Sequence, residues 1–141
     1  TSGFTRQSAA EFFGLLRRKW FRRLIDVRLN NTSQLAGFAK RDDLEYFLRE
    51  ICGAEYLHQP ILSPGKELLD GYKKKTTAWD EYERQFLDLL AQRKVEEAVD
   101  RGLFEEPAVL LCSEPTAEHC HRRLVAEYLA AKWGDVTIVH L

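Results

Sequence analysis

The sequence predicts an α/β fold: a single three-layer domain over residues 1–141, with a mostly parallel sheet covered by helices on both faces. Two observations lead to this prediction. Short apolar segments alternate along the chain with segments of helical periodicity. Several of the short segments are almost continuously apolar, which is typical of parallel strands buried on both faces. A chain of 141 residues, 45% of them hydrophobic, suits one domain with its own core.

The predicted elements alternate from the first residues onward, in a Rossmann-like order. Strands are expected at 1–5, 24–29, 54–58, 108–111 and 136–140. Ser8 and Glu11 have the spacing of a capping box and predict the start of the first helix. Further helices are expected from Asp42 or Asp43 to Gly53, from Trp79 through Leu90, from Glu96 to Arg101, and from Thr116 through Trp133. The strands at 24–29 and 108–111 are expected at the centre of the sheet.

Segment 62–77 is expected to be the least regular part of the chain. It holds Pro64, Gly65 and Gly71 together with a run of lysines. Irregular loops of this length often serve as lids over binding sites. We therefore predict a mobile flap that borders the functional site.

Composition limits the location and the partners. The net charge of −1 gives no argument for nucleic acid or membrane binding, and no apolar run reaches the length of a membrane span. Three cysteines are an odd count, which argues against a secreted disulfide framework. We expect a cytoplasmic protein with reduced cysteines, none of them bridged to Cys52.

One stretch, from Ala108 to Arg123, holds more cysteine, histidine, glutamate and arginine side chains close together than any stretch of its length outside it. It begins with a short strand, Pro115 ends any strand pairing, and Thr116 stands where a helix N-cap is expected. Around this turn lie Cys112, Ser113, Glu114, His119, Cys120, His121 and Arg122. Open α/β folds bind their ligands at such a place, where a strand ends beside a helix N-terminus.

Cys112, Glu114 and Cys120 are the candidate catalytic residues. Cys112 is either a buried packing residue, a nucleophile or a metal ligand. Cys120 is expected in the first turn of a helix, where the helix dipole and Arg122 favour the thiolate, so it is the better candidate of the two for a reactive thiol. The two thiols can also form a redox pair if the turn folds back. Glu114 is the candidate general acid or base.

A metal site in this stretch is a weaker hypothesis. His119, Cys120 and His121, with Cys112 and Glu114, are all ligand types that zinc accepts. Their spacing matches no standard zinc module, and adjacent residues on a helix point about 100° apart. We therefore assign no metal-binding residues, and the sequence leaves the cofactor unknown.

Asp26, Arg28, His121 and Arg122 are the candidate ligand-binding residues. The strand at 24–29 and the strand at 108–111 end at the same edge if they are neighbours, so Arg28 and Cys112 then face one crevice. Arginine binds phosphate or carboxylate through two parallel hydrogen bonds. The alternative for Arg28 is an ion pair with Asp26 or Glu114 that closes the crevice.

A basic segment supports a different class of function. Basic residues surround an aromatic pair, and a second lysine run follows later: Arg17, Arg18, Lys19, Trp20, Phe21, Arg22, Arg23 and Lys73 to Lys75. Such a pattern is found in nucleic-acid-binding proteins. It also occurs at solvated helix ends, where cations suit the helix dipole.

Five motifs resemble one known family. They are Thr-Ser-Gly-Phe-Thr at 1–5, Leu-Ile-Asp-Val-Arg at 24–28, Leu-Leu-Cys-Ser-Glu at 110–114, Glu-His-Cys-His-Arg-Arg at 118–123 and Val-Thr-Ile-Val-His-Leu at 136–141. The family is catalogued as domain of unknown function 488, DUF488. The resemblance covers nearly the whole chain in order and implies a compact α/β domain. It implies no established activity.

A weaker similarity links the Ile-Asp-Val-Arg strand and the later cysteine to rhodanese domains. The residues after Cys112 depart from a rhodanese or phosphatase loop, because they include no glycine. Pro115 lacks a backbone N–H, and Glu114 and Glu118 repel an anion. Both reactions are therefore disfavoured.

Two classes of function follow from the sequence. The first is an enzyme or ligand-binding protein that takes a small anionic or nucleotide-like ligand in a crevice of cysteine, glutamate and arginine. The alternatives are a non-catalytic nucleic-acid-binding module and a rhodanese-like sulfur carrier. Glu114 favours the enzyme, since a carboxylate beside an anion hinders binding but serves proton transfer.

Overall fold

Four parallel strands form the sheet within the part of the chain that the computed structural model describes, residues 1–32, 36–113 and 117–141. The strands are β1 (Ser2–Gly3), β2 (Arg23–Asp26), β3 (Glu55–His58) and β4 (Ala108–Cys112). Their order is β1-β4-β2-β3, and every pairing is parallel. The prediction that β2 and β4 are central strands is confirmed, and the two strands are direct neighbours.

Most of the helices that join these strands lie close to the predicted places, but α3 was not predicted and α6 begins later than predicted. They are α1 (Ala9–Arg17), α2 (Arg41–Phe47) with a π-helical extension (Leu48–Cys52), α3 (Lys66–Lys73), α4 (Trp79–Arg93), α5 (Val95–Ala98) and α6 (His121–Trp133). Short 3₁₀ turns span Gly37–Ala39, Pro60–Leu62 and Arg101–Phe104. α1 has the predicted capping box, because Ser8 and Glu11 form both of its hydrogen bonds.

Helices cover both faces of the sheet, as the predicted fold class requires. On one face, Ile25 and Leu110 pack with buried residues of α4 and α6, such as Phe86 and Leu124. On the other face, the alternate residues of β2 and β4 pack against α1 and α2. The near-continuous apolar character of β2 and β4 follows from this burial on two sides.

β2 is shorter than predicted because an aspartate side chain ends its ladder. The sequence predicts a strand to residue 29, but β2 ends at Asp26. Val27 still donates its N–H to Leu111 O at 3.1 Å, whereas Arg28 donates its backbone N–H to Asp26 Oδ1 at 3.0 Å. A carboxylate that accepts the N–H two residues ahead turns the chain out of the sheet.

The strand predicted at 136–140 is not formed. The backbone of the tail instead bonds Thr1, the residue before β1, whose carbonyl accepts the Leu141 N–H at 2.9 Å and whose amino group donates to Val139 O at 2.6 Å. Val136 and Val139 are exposed. Alternating β-branched residues therefore favour an extended tail here, but one bridging residue does not make a ladder.

The prediction of an irregular segment at 62–77 is wrong, because its centre is helix α3. Pro64 and Gly65 stand before the helix and do not interrupt it. Gly71 lies inside the helix, and a Cβ on it would approach Thr77 Oγ1 to 2.8 Å. Gly71 O also accepts the Thr76 and Thr77 N–H groups. The glycine therefore serves close packing against the following turn.

Candidate functional site

A partly open cavity of about 160 Å³ lies at the carboxyl edge of the sheet, beside the ends of β2 and β4. Thirteen described residues line it: Arg28, Leu29, Asn30, Leu69, Tyr72, Lys73, Trp79, Tyr82, Cys112, Ser113, His119, Cys120 and His121. The cavity thus brings Arg28 and Cys112 together, which the sequence predicts for neighbouring strands. Residues of α3 line it too, so segment 62–77 borders the site, as predicted.

Cys112 stands at the last position of β4 and faces the layer formed by α4 and α6. Only 2% of the residue is exposed to solvent. Its Sγ lies 3.6 Å from His121 Nδ1, which is within the range of a sulfur hydrogen bond. The candidate nucleophile therefore has an imidazole as its direct neighbour.

The ring of His121 is held by the backbone of the strand end. Its Nε2 lies 2.7 Å from Val27 O. A carbonyl oxygen only accepts hydrogen bonds, so Nε2 carries a proton and neutral His121 has its lone pair on Nδ1, towards Cys112. Burial lowers the pKa of His121, but the negative charge of the Cys112 thiolate and the hydrogen bonds to Cys112 and Val27 together raise it above its usual value.

Cys120 is the N-cap of α6 and not a residue of its first turn, which corrects the predicted position. The helix begins at His121, whereas Thr116, the predicted N-cap, lies outside the described residues. Cys120 Sγ lies 2.6 Å from Cys112 Sγ and accepts from Arg122 Nη1 at 3.6 Å. Burial and the hydrogen bond to Cys112 raise the pKa of Cys120, and they outweigh Arg122.

Three potential metal ligands converge at this point. Sγ of Cys112, Sγ of Cys120 and a ring nitrogen of His121 lie within 4.8 Å of one another. The helix geometry that separates neighbouring residues does not apply here, because Cys120 precedes the helix. His119 is directed elsewhere and stacks on Trp79, with ring centroids 4.9 Å apart. Two thiolates and an imidazole suit zinc, but the cationic Arg122 beside Cys120 opposes a metal ion.

Asp26 and Arg28 form a buried ion pair at the end of β2. Arg28 Nε donates to Asp26 Oδ1 at 2.8 Å, and Nη2 donates to Oδ2 at 2.7 Å. Tyr56 adds a third side-chain bond, because its hydroxyl donates to Asp26 Oδ2 at 2.6 Å. The alternative given above for Arg28, a pair with Asp26, is what the structure contains.

One donor group of the buried Arg28 guanidinium lacks a partner among the described residues. Arg28 is 3% exposed and lines the cavity, and its Nη1 has no hydrogen-bond partner within the described residues. The guanidinium carbon of Arg28 lies 5.2 Å from the centre of the Phe4 ring, which is the distance of a cation–π contact. A buried donor without a partner is costly, so this position suits an acceptor atom from a ligand.

We expect Tyr56→Phe to destabilise the fold by about 1.5–3 kcal/mol at neutral pH, because it removes a hydrogen bond to a carboxylate. Burial, with the hydrogen bond to Asp26 and its negative charge, raises the pKa of Tyr56. Its stabilising effect is therefore complete below the unfolded pKa of about 10 and is lost as the pH rises through the folded pKa. Alkaline unfolding curves check this.

The comparison for Tyr56→Phe is the parent protein over the same alkaline range. Tyr128, whose hydroxyl bonds Glu96, has a pKa raised to about 12 and is present in both proteins. The difference between the two proteins therefore isolates Tyr56. Equal loss of stability above pH 10 in both proteins would contradict the assignment.

Arg122 lies within the core and not among the residues that line the cavity. It is fully buried, and its Nε donates to Thr1 Oγ1 at 3.3 Å while Nη1 faces Cys120. Glu114, the predicted general acid or base, lies outside the described residues, as does Pro115. Of the seven predicted site residues, Arg28, Cys112, Cys120 and His121 line one cavity, and Asp26 lies directly behind Arg28.

Sequence reasoning missed the aromatic wall of the cavity. Trp79 stacks on Tyr82 and on His119 and meets Tyr72 edge-on, with centroids 4.9–5.6 Å apart. Trp79 opens α4, so the amphipathic pattern predicted it only as a core residue. The Tyr56 hydroxyl was also missed, although β3 lies beside β2 and residue 56 pairs with residue 24.

The basic segment lies at the opposite edge of the sheet from the cavity. It includes the end of α1 and the approach to β2, and Trp20 within it is 71% exposed. Arg22 and Arg23 pair with Glu55. Cys52 lies close to the basic segment. It packs on the face of the sheet that α1 covers, so the sheet separates it from the other two cysteines.

The fold and the site define an α/β protein with a thiol–imidazole pair at the carboxyl edge of a parallel sheet. The chain belongs to the family described as domain of unknown function DUF488, whose profile matches residues 8–129. It has no significant match among curated proteins or among solved structures. The resemblance to rhodanese domains is not supported by these comparisons. Among the described residues, no helix has the length and apolar character to cross a membrane.

Proposed function

We propose that residues 1–141 form one domain that acts as an enzyme on a small anionic ligand, with Cys112 as its nucleophile. One observation carries the proposal. The Cys112–His121 pair lines the same cavity as Arg28, whose buried Nη1 has no hydrogen-bond partner among the described residues. A thiol, a proton acceptor and an anion-binding donor are therefore within reach of one small molecule.

The thiol–imidazole geometry supports nucleophilic chemistry. His121 Nδ1 accepts the Cys112 proton, and the Val27 carbonyl holds the ring in place through Nε2. A nucleophile next to a base, with the base oriented by a third group, is the arrangement that recurs in thiol enzymes. The raised pKa of His121 supports a protonated ring once Cys112 has given up its proton.

The cationic groups and the size of the cavity support a small anion. Arg28 supplies Nη1, and Lys73 of α3 lines the same space. A volume of about 160 Å³ is below the roughly 300 Å³ at which drug-sized ligands are usually held. The cavity therefore suits a phosphate or carboxylate group on a short molecule. A nucleotide-like ligand would place its phosphate here and lay its ring outward.

Glu114 completes the proposed machinery as general acid or base, on the sequence argument alone. A cytoplasmic location fits an active thiol, because thiols stay reduced there. The exposed Trp20 and the basic residues on either side of it favour nucleic-acid binding as the second candidate. That surface is away from the cavity, so the two functions are tested separately.

Ligand binding tests the proposal in the fully reduced protein. The probes are inorganic phosphate and a nucleoside monophosphate, with the uncharged nucleoside as control. We expect the two anions to raise the midpoint of thermal unfolding with increasing concentration, and the nucleoside to leave it unchanged. No response to either anion, with a response to a DNA or RNA oligonucleotide, would favour the second candidate.

Arg28→Lys is the matching variant. It keeps the charge but loses the planar fork and with it Nη1, so we expect anion affinity to fall by about tenfold or more. Arg84→Lys, on the exposed face of α4, is the control and should bind as the parent does. If Arg28→Lys folds and binds the anions as tightly as the parent, the assignment of Nη1 is wrong.

A further inference from the structure

We infer that Cys112 and Cys120 form a reversible intramolecular disulfide under oxidation by hydrogen peroxide, and that its closure switches off the site. The pairing itself rests on the geometry of the two cysteines. Its consequence for activity rests on the proposed function, in which Cys112 is the nucleophile.

The two sulfurs already lie at reacting distance. The two cysteines are not joined by a disulfide, and their Sγ atoms lie 2.6 Å apart, against about 2.05 Å in a disulfide. Neither lies inside a helix, since Cys112 ends β4 and Cys120 precedes α6. Bond formation therefore needs only a small movement of two element ends. Cys52 packs on the other face of the sheet and has no access to either sulfur.

The neighbours of the two sulfurs divide the roles. His121 Nδ1 lies next to Cys112 and accepts its proton, which makes Cys112 the sulfur that reacts first. Cys120 lies 2.6 Å from the Cys112 sulfur and forms no hydrogen bond with an imidazole among the described residues, so it is the resolving thiol, with Arg122 Nη1 3.6 Å away to favour its thiolate when it reacts. The partly open cavity, lined by both cysteines, admits a molecule as small as peroxide.

The oxidation balances in two steps. The Cys112 thiolate attacks one oxygen of hydrogen peroxide, so an S–O bond forms, the O–O bond breaks, and the departing hydroxide takes the proton from His121 as water. The Cys120 sulfur then attacks the sulfenic acid of Cys112, so the S–S bond forms, the S–O bond breaks, and a second water leaves with the Cys120 proton. Two thiols are oxidised by two electrons, and one peroxide is reduced to two waters. A small dithiol reverses the bond by exchange.

Disulfide formation would protect the nucleophile as well as silence it. Cys112 in the disulfide cannot attack a substrate, and His121 loses the thiol to which it hydrogen-bonds. A sulfenic acid that is not trapped by a second thiol goes on to sulfinic acid, which is irreversible for most proteins. The position of Cys120 therefore turns a damaging oxidation into a reversible one.

The test is peptide mapping by mass spectrometry. The reduced protein is treated with a small excess of hydrogen peroxide, its remaining thiols are alkylated, and it is digested without reductant. We expect one cross-linked species joining the peptides of Cys112 and Cys120 in most molecules, with Cys52 alkylated, and full reversal by dithiothreitol. A bridge that involves Cys52, or no bridge while Cys112 is oxidised to sulfinic acid, would overturn the inference.

Two variants sharpen the mapping. Cys120→Ser removes the resolving thiol, so we expect no bridge and irreversible oxidation of Cys112, whereas Cys52→Ser is the control and should form the bridge as the parent does. If Cys120→Ser fails to fold, the mapping of the parent and of Cys52→Ser still shows whether Cys112 and Cys120 form the disulfide. Equal resistance of Cys112 to sulfinic acid in the parent and in Cys120→Ser would contradict the assigned role of Cys120.

The outcomes separate this inference from the proposed function. The mapping uses no ligand, and the ligand test uses the reduced protein. A bridge without anion binding would leave the disulfide in place and remove the proposed function. Anion binding without a bridge would remove the disulfide alone.

Discussion

Asp26→Asn is expected to lower the free energy of unfolding by about 3–5 kcal/mol. The carboxylate of Asp26 is completely buried and accepts two bonds from the Arg28 guanidinium, one from the Arg28 backbone and one from Tyr56. The amide removes the negative charge and leaves the guanidinium of Arg28 buried without a counter-charge. Denaturant unfolding of the variant beside the parent measures the loss.

Glu55→Gln is the matched control for Asp26→Asn. Glu55 also pairs with arginines on the same sheet, Arg22 and Arg23, but its side chain is about half exposed. Exposed pairs contribute about 0–1 kcal/mol, so this variant should be nearly as stable as the parent. In the double variant Asp26→Asn/Arg28→Met, the loss of unfolding free energy should be smaller than the sum of the losses in the two single variants. Both charges of the pair are then removed, so neither is left buried without its partner. Similar losses at both carboxylates would contradict the account.

His121→Gln is expected to slow the alkylation of Cys112 by iodoacetamide about 100-fold or more at neutral pH. Glutamine can still donate to the Val27 carbonyl, but it offers no basic nitrogen to the thiol. The fold should therefore survive while the proton acceptor is lost. The rate is measured on the reduced protein, with the site of alkylation located by mass spectrometry.

His119→Gln is the control for that rate. His119 lines the same cavity and stacks on Trp79. Replacing His119 changes the wall of the cavity but leaves the Cys112–His121 pair intact. We therefore expect the rate of Cys112 alkylation to change by only a few-fold. If both histidine variants slow the reaction equally, access to the cavity and not the imidazole controls the thiol.

The sequence predicts the centre of the fold better than its edges. The central position of β2 and β4 follows from their apolar continuity, which a single sequence shows. Their order in the sheet does not follow from the sequence, so the approach of Arg28 to Cys112 was predicted only for the case in which the two strands are neighbours. The capping box at Ser8 is likewise a local pattern of the sequence.

The parts that sequence reasoning missed depend on contacts between distant residues. Gly71 predicts an interruption of regular structure, but it lies inside α3, where the absence of a side chain leaves room for Thr77. The tail at 136–140 has a strand pattern, but its backbone hydrogen bonds to other described residues go to Thr1, beside β1, and form no ladder. The late start of α6 places Cys120 before the helix, and only the folded chain reveals that its thiol meets Cys112.

The central claim is that one cavity unites a reactive thiol with an anion-attracting guanidinium, and two alkylating reagents test it most directly. Iodoacetate is anionic and iodoacetamide is neutral, and N-acetylcysteinamide, an uncharged thiol free in solution, is the reference. We expect the ratio of the iodoacetate rate to the iodoacetamide rate to be about tenfold higher at Cys112 than at the reference thiol, because cationic clefts raise the local concentration of anions. In Arg28→Lys, which loses the Nη1 donor, the ratio at Cys112 should fall. Equal ratios at Cys112 in the folded, reduced parent protein and at the reference thiol would contradict the account.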